Sequence, residues 1–191
     1  MEITKYKLIL ASNSPRRKEL LAGINLPFEI HTLPDVDESY PGTLSHEEIP
    51  EFLARKKASG YLSELQDDAL LITADTVVLL RDTILGKPAD KPDAKRMLRE
   101  LSGQTHRVIT GVCLTAKGKQ KSFSVVSKVT FDVLTDEEID YYVEKYNPLD
   151  KAGAYGVQEW IGYVAVRHID GSYYNIMGLP IQRVYRELRE F

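Results

Sequence analysis

The sequence predicts a mixed α/β fold, a twisted sheet with helices on both sides, in one domain over residues 1–191. Three observations carry this expectation. Apolar runs of strand length alternate with segments that open on helix-capping residues. The second half adds hairpin signals, which argue against a purely doubly wound sheet. No low-complexity tract, internal repeat or Pro/Ser-rich linker divides the 191 residues.

Taken in order, KLILAS (7–12) suits a short strand buried on both faces. Ser14 can cap a helix with Pro15 at its first position, Leu20, Leu21 and Ile24 forming its buried stripe and Gly23 lying near its end. The Pro, Gly and Asp content of TLPDVDESYPG (32–42) reads as loop. Ser45 and Glu48 form a capping-box pattern that opens a helix through about residue 65. LLITADTVVLL (70–80) is a buried strand, and RDTILGKP (81–88) turns back from it. A helix fits 92–101, closed by Ser102 and Gly103. RVITGVCLTA (107–116) and KSFSVVSKVTFDVL (121–134) form a hairpin around 117–120, with Phe123, Val125, Val129, Phe131 and Val133 on the buried face. Thr135 and Glu138 start another helix, which stops at Asn147-Pro148. DKAGAYGVQ (150–158) is Gly-rich loop or a short helix. YVAVRHID and SYYNIM read as a last strand pair around Asp170-Gly171, and Pro180 opens a C-terminal helix.

Composition narrows the function. A formal net charge of −3 gives no global attraction to nucleic acid or an anionic membrane, so any anion site must be a local concentration of cations. The single cysteine, Cys113, lies in an apolar run and excludes a disulfide or a multi-cysteine metal site. The N-terminal apolar run is too short for a signal peptide or membrane span, and a cytoplasmic protein is the plain reading.

Several charged residues stand where a purely structural reading does not place them. Arg16 and Arg17 follow the Ser14 cap, at a helix end that is already partly positive. Either they splay into solvent, or they join the free N–H groups in a phosphate site to which Ser12 and Ser14 add hydroxyls. The glycines and G-K-[ST] of a Walker loop are missing. Asp75 sits amid apolar residues, where a carboxylate must be paired, hydrogen-bonded or metal-bound unless the strand ends at Thr73. Lys57 falls near the middle of its helix's apolar face, between Leu53 and Tyr61, whereas Arg55 falls opposite. Lys87 is extended before Pro88. Asp35, Asp37 and Glu38 make an acidic loop, a solvated one or a holder of a hard cation. His106 reads as a hydrogen-bonded structural residue, and His31, His46 and His168 lack metal-binding spacing. Four cations, Arg16, Arg17, Lys57 and Lys87, match the roughly four negative charges of a nucleoside triphosphate, and Glu38 with Asp75 could hold Mg²⁺ or Mn²⁺. Metal-assisted hydrolysis of a phosphoanhydride uses this inventory.

ASNSPRRKELL, ADTVV, GKP, LSGQTHRVITGV, LDKAGAYGVQ and GSYYNIMGLP together resemble the Maf family of nucleoside triphosphate pyrophosphatases, in family order along nearly the whole chain. The resemblance implies a fold similar to that of inosine triphosphate pyrophosphatases, with two lobes around a nucleotide cleft. It implies that Ser12, Arg16 and Arg17 hold phosphates and that Glu38, Lys57, Asp75 and Lys87 are active-site residues, with Asp75 the proton acceptor that activates water. Arg16, Thr76 and Gln158 match specificity positions. A-D-T at 74–76 is similar to the branch acting on dTTP and UTP, and Gln158 points the same way, although Glu159-Trp160 departs from the smaller residues common in relatives. A possible homodimer, and an alternative role as a nucleotide-binding regulator of septum formation with little turnover, are also family-level implications.

Overall fold

Strands and helices interleave as expected in the computed structural model, which describes residues 3–34 and 37–191. Seven strands form one mixed sheet: β1 (Lys7–Leu10), β2 (Phe28–Ile30), β3 (Ala69–Leu80), β4 (Thr83–Leu85), β5 (Thr105–Ala116), β6 (Lys119–Phe131) and β7 (Val166–Asp170). Their order is β2-β1-β3-β5-β6-β7, with β4 paired to β3. The helices are α1 (Pro15–Ala22), α2 (Ile49–Ser59), α3 (Lys91–Leu101), α4 (Asp136–Tyr146), α5 (Trp160–Val164), α6 (Tyr173–Ile176) and α7 (Ile181–Glu190). No helix among the described residues is long and apolar enough to cross a membrane.

The chain forms two compact units. One holds the residues up to Asp75, Thr110–Val125 and Gly178–Phe191; the other holds Thr76–Ile109 and Val126–Met177. In the first, β1 runs parallel to both β2 and β3, with Leu8 opposite Phe28 and Leu70. Parallel strands are usually covered on both faces, and Leu70, Leu71 and Ile72 are all buried. Ala54, Ala58 and Tyr61 from α2 and the following turn pack with Leu71 and Cys113. The close approach of α2 depends on Gly111: a Cβ there would lie 2.2 Å from backbone atoms of Pro50 and Glu51. In the second unit β4 folds back antiparallel on β3, and β7 pairs antiparallel with β6. His106, Phe131 and Tyr155 make mutual edge-to-face contacts there.

Several expectations need correction. SYYNIM is not a strand: Ser172 accepts the Asn175 N–H at 3.3 Å and caps α6. The Asn175 side chain then donates to Val108 O (3.2 Å) and Ser127 Oγ (3.1 Å), so buried hydrogen bonding overrides strand propensity. YVAVRHID is strand only from Val166, because Trp160–Val164 forms α5. The Ser45–Glu48 bonds exist (2.7 and 2.9 Å) but close a turn ahead of α2, which ends at Ser59 rather than near 65. Val133 lies beyond the end of β6 and is 81% exposed. Strand β2 had no counterpart in the sequence reading. Its three residues, FEI, are too few to show a period.

Candidate active site

Strand β1 delivers the chain to Ser12, which is buried and whose Oγ accepts the Ser14 N–H at 3.2 Å. Ser14 Oγ accepts the Arg17 N–H at 3.5 Å and caps α1, with Pro15 at the first helical position. The parallel register pairs Leu10 with Ile72, and Ala11 N–H continues to Ile72 O at 3.0 Å. The start of α1 and Asp75 therefore both lie past the C-terminal end of β1, Asp75 on the part of β3 that runs on beyond it; ligands of open α/β sheets collect at such strand ends. The two arginines part company here. Arg17 Nε donates to Gly178 O and its Nη1 to Ala74 O, both at 2.8 Å, tying α1 to the residue before Asp75. Its guanidinium is deep enough that desolvation lowers its pKa, with Asp75 opposing the shift. Arg16 is half-buried on the first turn of α1.

Asp75 lies within β3, which rules out a strand ending at Thr73. Its Oδ1 accepts from Lys57 Nζ at 2.6 Å, and the same ammonium reaches Glu38 Oε1 at 2.9 Å. The Lys57 and Asp75 side chains are only 16% and 14% exposed, against 56% for Glu38. Lys57, near the middle of the apolar face of α2, thus pairs with two carboxylates rather than running out to solvent at an edge. Thr73 sets the spacing by donating to Ala54 O at 2.7 Å, one helical turn before Lys57. The acidic loop is steadied by Lys56, whose Nζ donates to Asp37 Oδ2 (2.6 Å) and to Ser39 O and Oγ (2.7 and 2.8 Å). Lys56, together with bonds from Ser39, holds the Asp37 carboxyl below its usual range. Asp37 is thereby committed to the loop itself; Asp35 lies outside the described residues.

Thr76, Lys87 and Gln158 belong to the second unit. Lys87 is exposed, and the preceding Gly86 O accepts the Gly153 N–H at 3.0 Å, which ties the GKP turn to the DKAGAYG segment. That segment runs through a 3-10 turn at Ala152–Ala154. Tyr155 Oη meets His106 Nε2 at 2.7 Å, and burial pushes the His106 imidazole down to about 4, as befits a structural histidine. Gln158 is half-buried, and its Oε1 is a buried acceptor with no hydrogen-bond partner among the described residues. An orphaned amide oxygen costs about 1–3 kcal/mol unless a ligand satisfies it.

Sequence reasoning missed the supporting residues. Lys56 was hidden beside Lys57, and Thr73 and Gly178 act through positions that periodicity does not mark. Glu38 and Asp75 converge on one ammonium and offer hard oxygen donors, a set that fits Mg²⁺ or Mn²⁺ held by one or two carboxylates plus substrate phosphates. No group of three or more His, Cys, Asp or Glu among the described residues forms an all-protein metal cage.

The sequence profile described as Maf-like protein matches residues 7–191. A dTTP/UTP pyrophosphatase of Phocaeicola vulgatus is 58% identical over 188 residues, 98% of this chain and 97% of its own. Proteins of the same name from Bacteroides thetaiotaomicron and Porphyromonas gingivalis are 60% and 56% identical over 98% and 99% of this chain, and 97% and 96% of their own. A HAM1 protein from Coxiella burnetii aligns over 97% of this chain and all of its own at 15% identity, with a TM-score of 0.47, too distant to add to the fold assignment.

Proposed function

Because the chain belongs to the Maf family, we propose that it hydrolyses dTTP and UTP to the nucleoside monophosphate and pyrophosphate. The observation that carries this reading is the Lys57 ammonium held between Asp75 Oδ1 and Glu38 Oε1, past the end of β1 where α1 begins. The names of relatives at 56–60% identity support the same substrates.

With Oδ1 engaged by Lys57, Asp75 presents Oδ2 to a water and takes its proton as the water oxygen attacks the α-phosphorus. The bond from that phosphorus to the bridging oxygen breaks, and pyrophosphate leaves with the electron pair. Arg16, the N–H groups of the first turn of α1 and the Ser12 and Ser14 hydroxyls are assigned to the phosphates. Lys87 is assigned to the leaving group, and Thr76 and Gln158 to the base. Arg17 holds the Ala74 carbonyl, so it shapes the Asp75 segment as much as it adds charge. A divalent cation at Glu38 and Asp75 would screen phosphate charge and lower the cost of bringing a polyanion to these carboxylates. A cytoplasmic setting belongs to the same proposal. No observation favours a division regulator with little turnover.

Asp75→Asn tests the assignment. It should lower kcat for UTP by roughly 10²–10⁴-fold, the usual worth of a general base, while UTP still binds in equilibrium titration. Turnover within a few-fold of wild type would remove Asp75 from the mechanism.

A further inference from the structure

Glu38 has to act from a loop. The segment between β2 and α2 carries the prolines, glycine and acids of TLPDVDESYPG (32–42). The Glu38 side chain is 56% exposed, so burial does not hold its carboxylate in place. Its ion pair with Lys57 is too weak to do so alone. A pair with so exposed a partner is worth about 0–1 kcal/mol, whereas ordering one backbone residue costs roughly 1–2 kcal/mol.

Lys56 supplies the missing restraint. Its Nζ takes hold of both chain neighbours of Glu38, donating to Asp37 Oδ2 at 2.6 Å and to Ser39 O and Oγ at 2.7 and 2.8 Å. Ser39 closes the turn by donating its N–H to Asp37 Oδ1 and its hydroxyl to Asp37 Oδ2, both at 2.8 Å. The residues on either side of Glu38 are thus tied to each other and to one ammonium. Earlier in the loop, Leu33 N–H donates to the hydroxyl of the buried Tyr61 at 2.9 Å. The loop is therefore fastened at two points, to α2 and to the turn that follows it. Successive residues of a helix point about 100° apart, so Lys57 can meet Asp75 while Lys56, one step round, meets the loop. Two adjacent lysines sort two adjacent acids: Asp37 goes to Lys56 and Glu38 to Lys57.

We infer that Lys56 is a positioning residue, which by clasping Asp37 and Ser39 holds the intervening Glu38 carboxylate against the Lys57–Asp75 pair. The inference rests on the proposed role of Glu38 in the reaction. Loss of the clasp frees the loop from α2 and removes Glu38 from the site, while Lys57 and Asp75 stay paired.

The test is a double-mutant cycle on kcat/KM for UTP with Mg²⁺, in the wild type, Lys56→Met, Glu38→Gln and the double variant. Tm and hydrogen–deuterium exchange of the 37–44 backbone are measured for each. Lys56→Met keeps an unbranched apolar stem and removes the ammonium. It should lower kcat/KM roughly ten- to hundredfold, as displacement of a reacting group by about 1 Å does, and should speed exchange across 37–44. Its Tm should fall by no more than about 4 °C, the reach of a surface pair in a chain of this size. In the Glu38→Gln background the same change should cost less than about twofold, because the group it positions is already gone. Lys56→Arg, which can still donate to Asp37 and Ser39, should recover most of the loss. An equal loss in both backgrounds, unchanged exchange, or wild-type kcat/KM in Lys56→Met overturns the inference. Wild-type kcat/KM in Glu38→Gln overturns the role of Glu38 and the inference with it. A large loss in Glu38→Gln with none in Lys56→Met overturns only the inference.

Discussion

Lys57 compensates two carboxylates, and its removal leaves Asp75 largely buried without its cation. Lys57→Ala should cost about 3 kcal/mol of stability, since an unpaired buried charge is dearer than a lost contact. It should also depress kcat/KM for UTP more than a hundredfold, in line with loss of a charge that stabilises the transition state. The double variant Lys57→Met with Asp75→Asn separates the two effects: urea denaturation should return toward the wild-type midpoint while activity stays lost. Failure of the double variant to regain stability would show that the pairing was not the cause. At this scale much was legible in the sequence. Asp75 within an apolar run and Lys57 on an apolar face each violated a local rule, and the structure joins them at 2.6 Å. The division of labour at Arg16-Arg17 was not legible, because the Ala74 and Gly178 carbonyls that take up Arg17 are far away in sequence.

Elements with strong end signals were read correctly, the Ser45–Glu48 pattern ahead of α2 excepted, and those set by distant partners were not. The capping box of Thr135 and Glu138 and the Ser14 cap before α1 are local chemistry, visible in a few residues. Strand β2 exists through its pairing with β1, and α6 through Asn175 bonds to β5 and β6. No local pattern carries that information. The seating of α2, and so of Lys57, depends in the same way on Gly111. Gly111→Ala should destabilise the protein by about 1–3 kcal/mol or more, because backbone at 2.2 Å must move to admit the methyl. Circular dichroism melts would check it, and an unchanged Tm would contradict this packing.

For the whole molecule, acid should act through His106. Its pKa falls from 6.5 to about 4 on burial, so between those values the unfolded chain binds a proton that the folded one does not. This contribution to stability is complete above pH 6.5 and is lost as pH falls toward 4, by up to about 3 kcal/mol. Urea midpoints measured across that window should drop with acid, and NMR titration should show the His106 ring still neutral at pH 5.5. A ring that titrates near its ordinary value would contradict the buried placement. The central claim concerns chemistry at the α-phosphorus, and ¹⁸O-labelled water tests it most directly. Hydrolysis of UTP in labelled water with Mg²⁺ should give UMP carrying the label and unlabelled pyrophosphate, at a rate abolished by Asp75→Asn. Label in the pyrophosphate, or release of UDP and orthophosphate, would contradict the account.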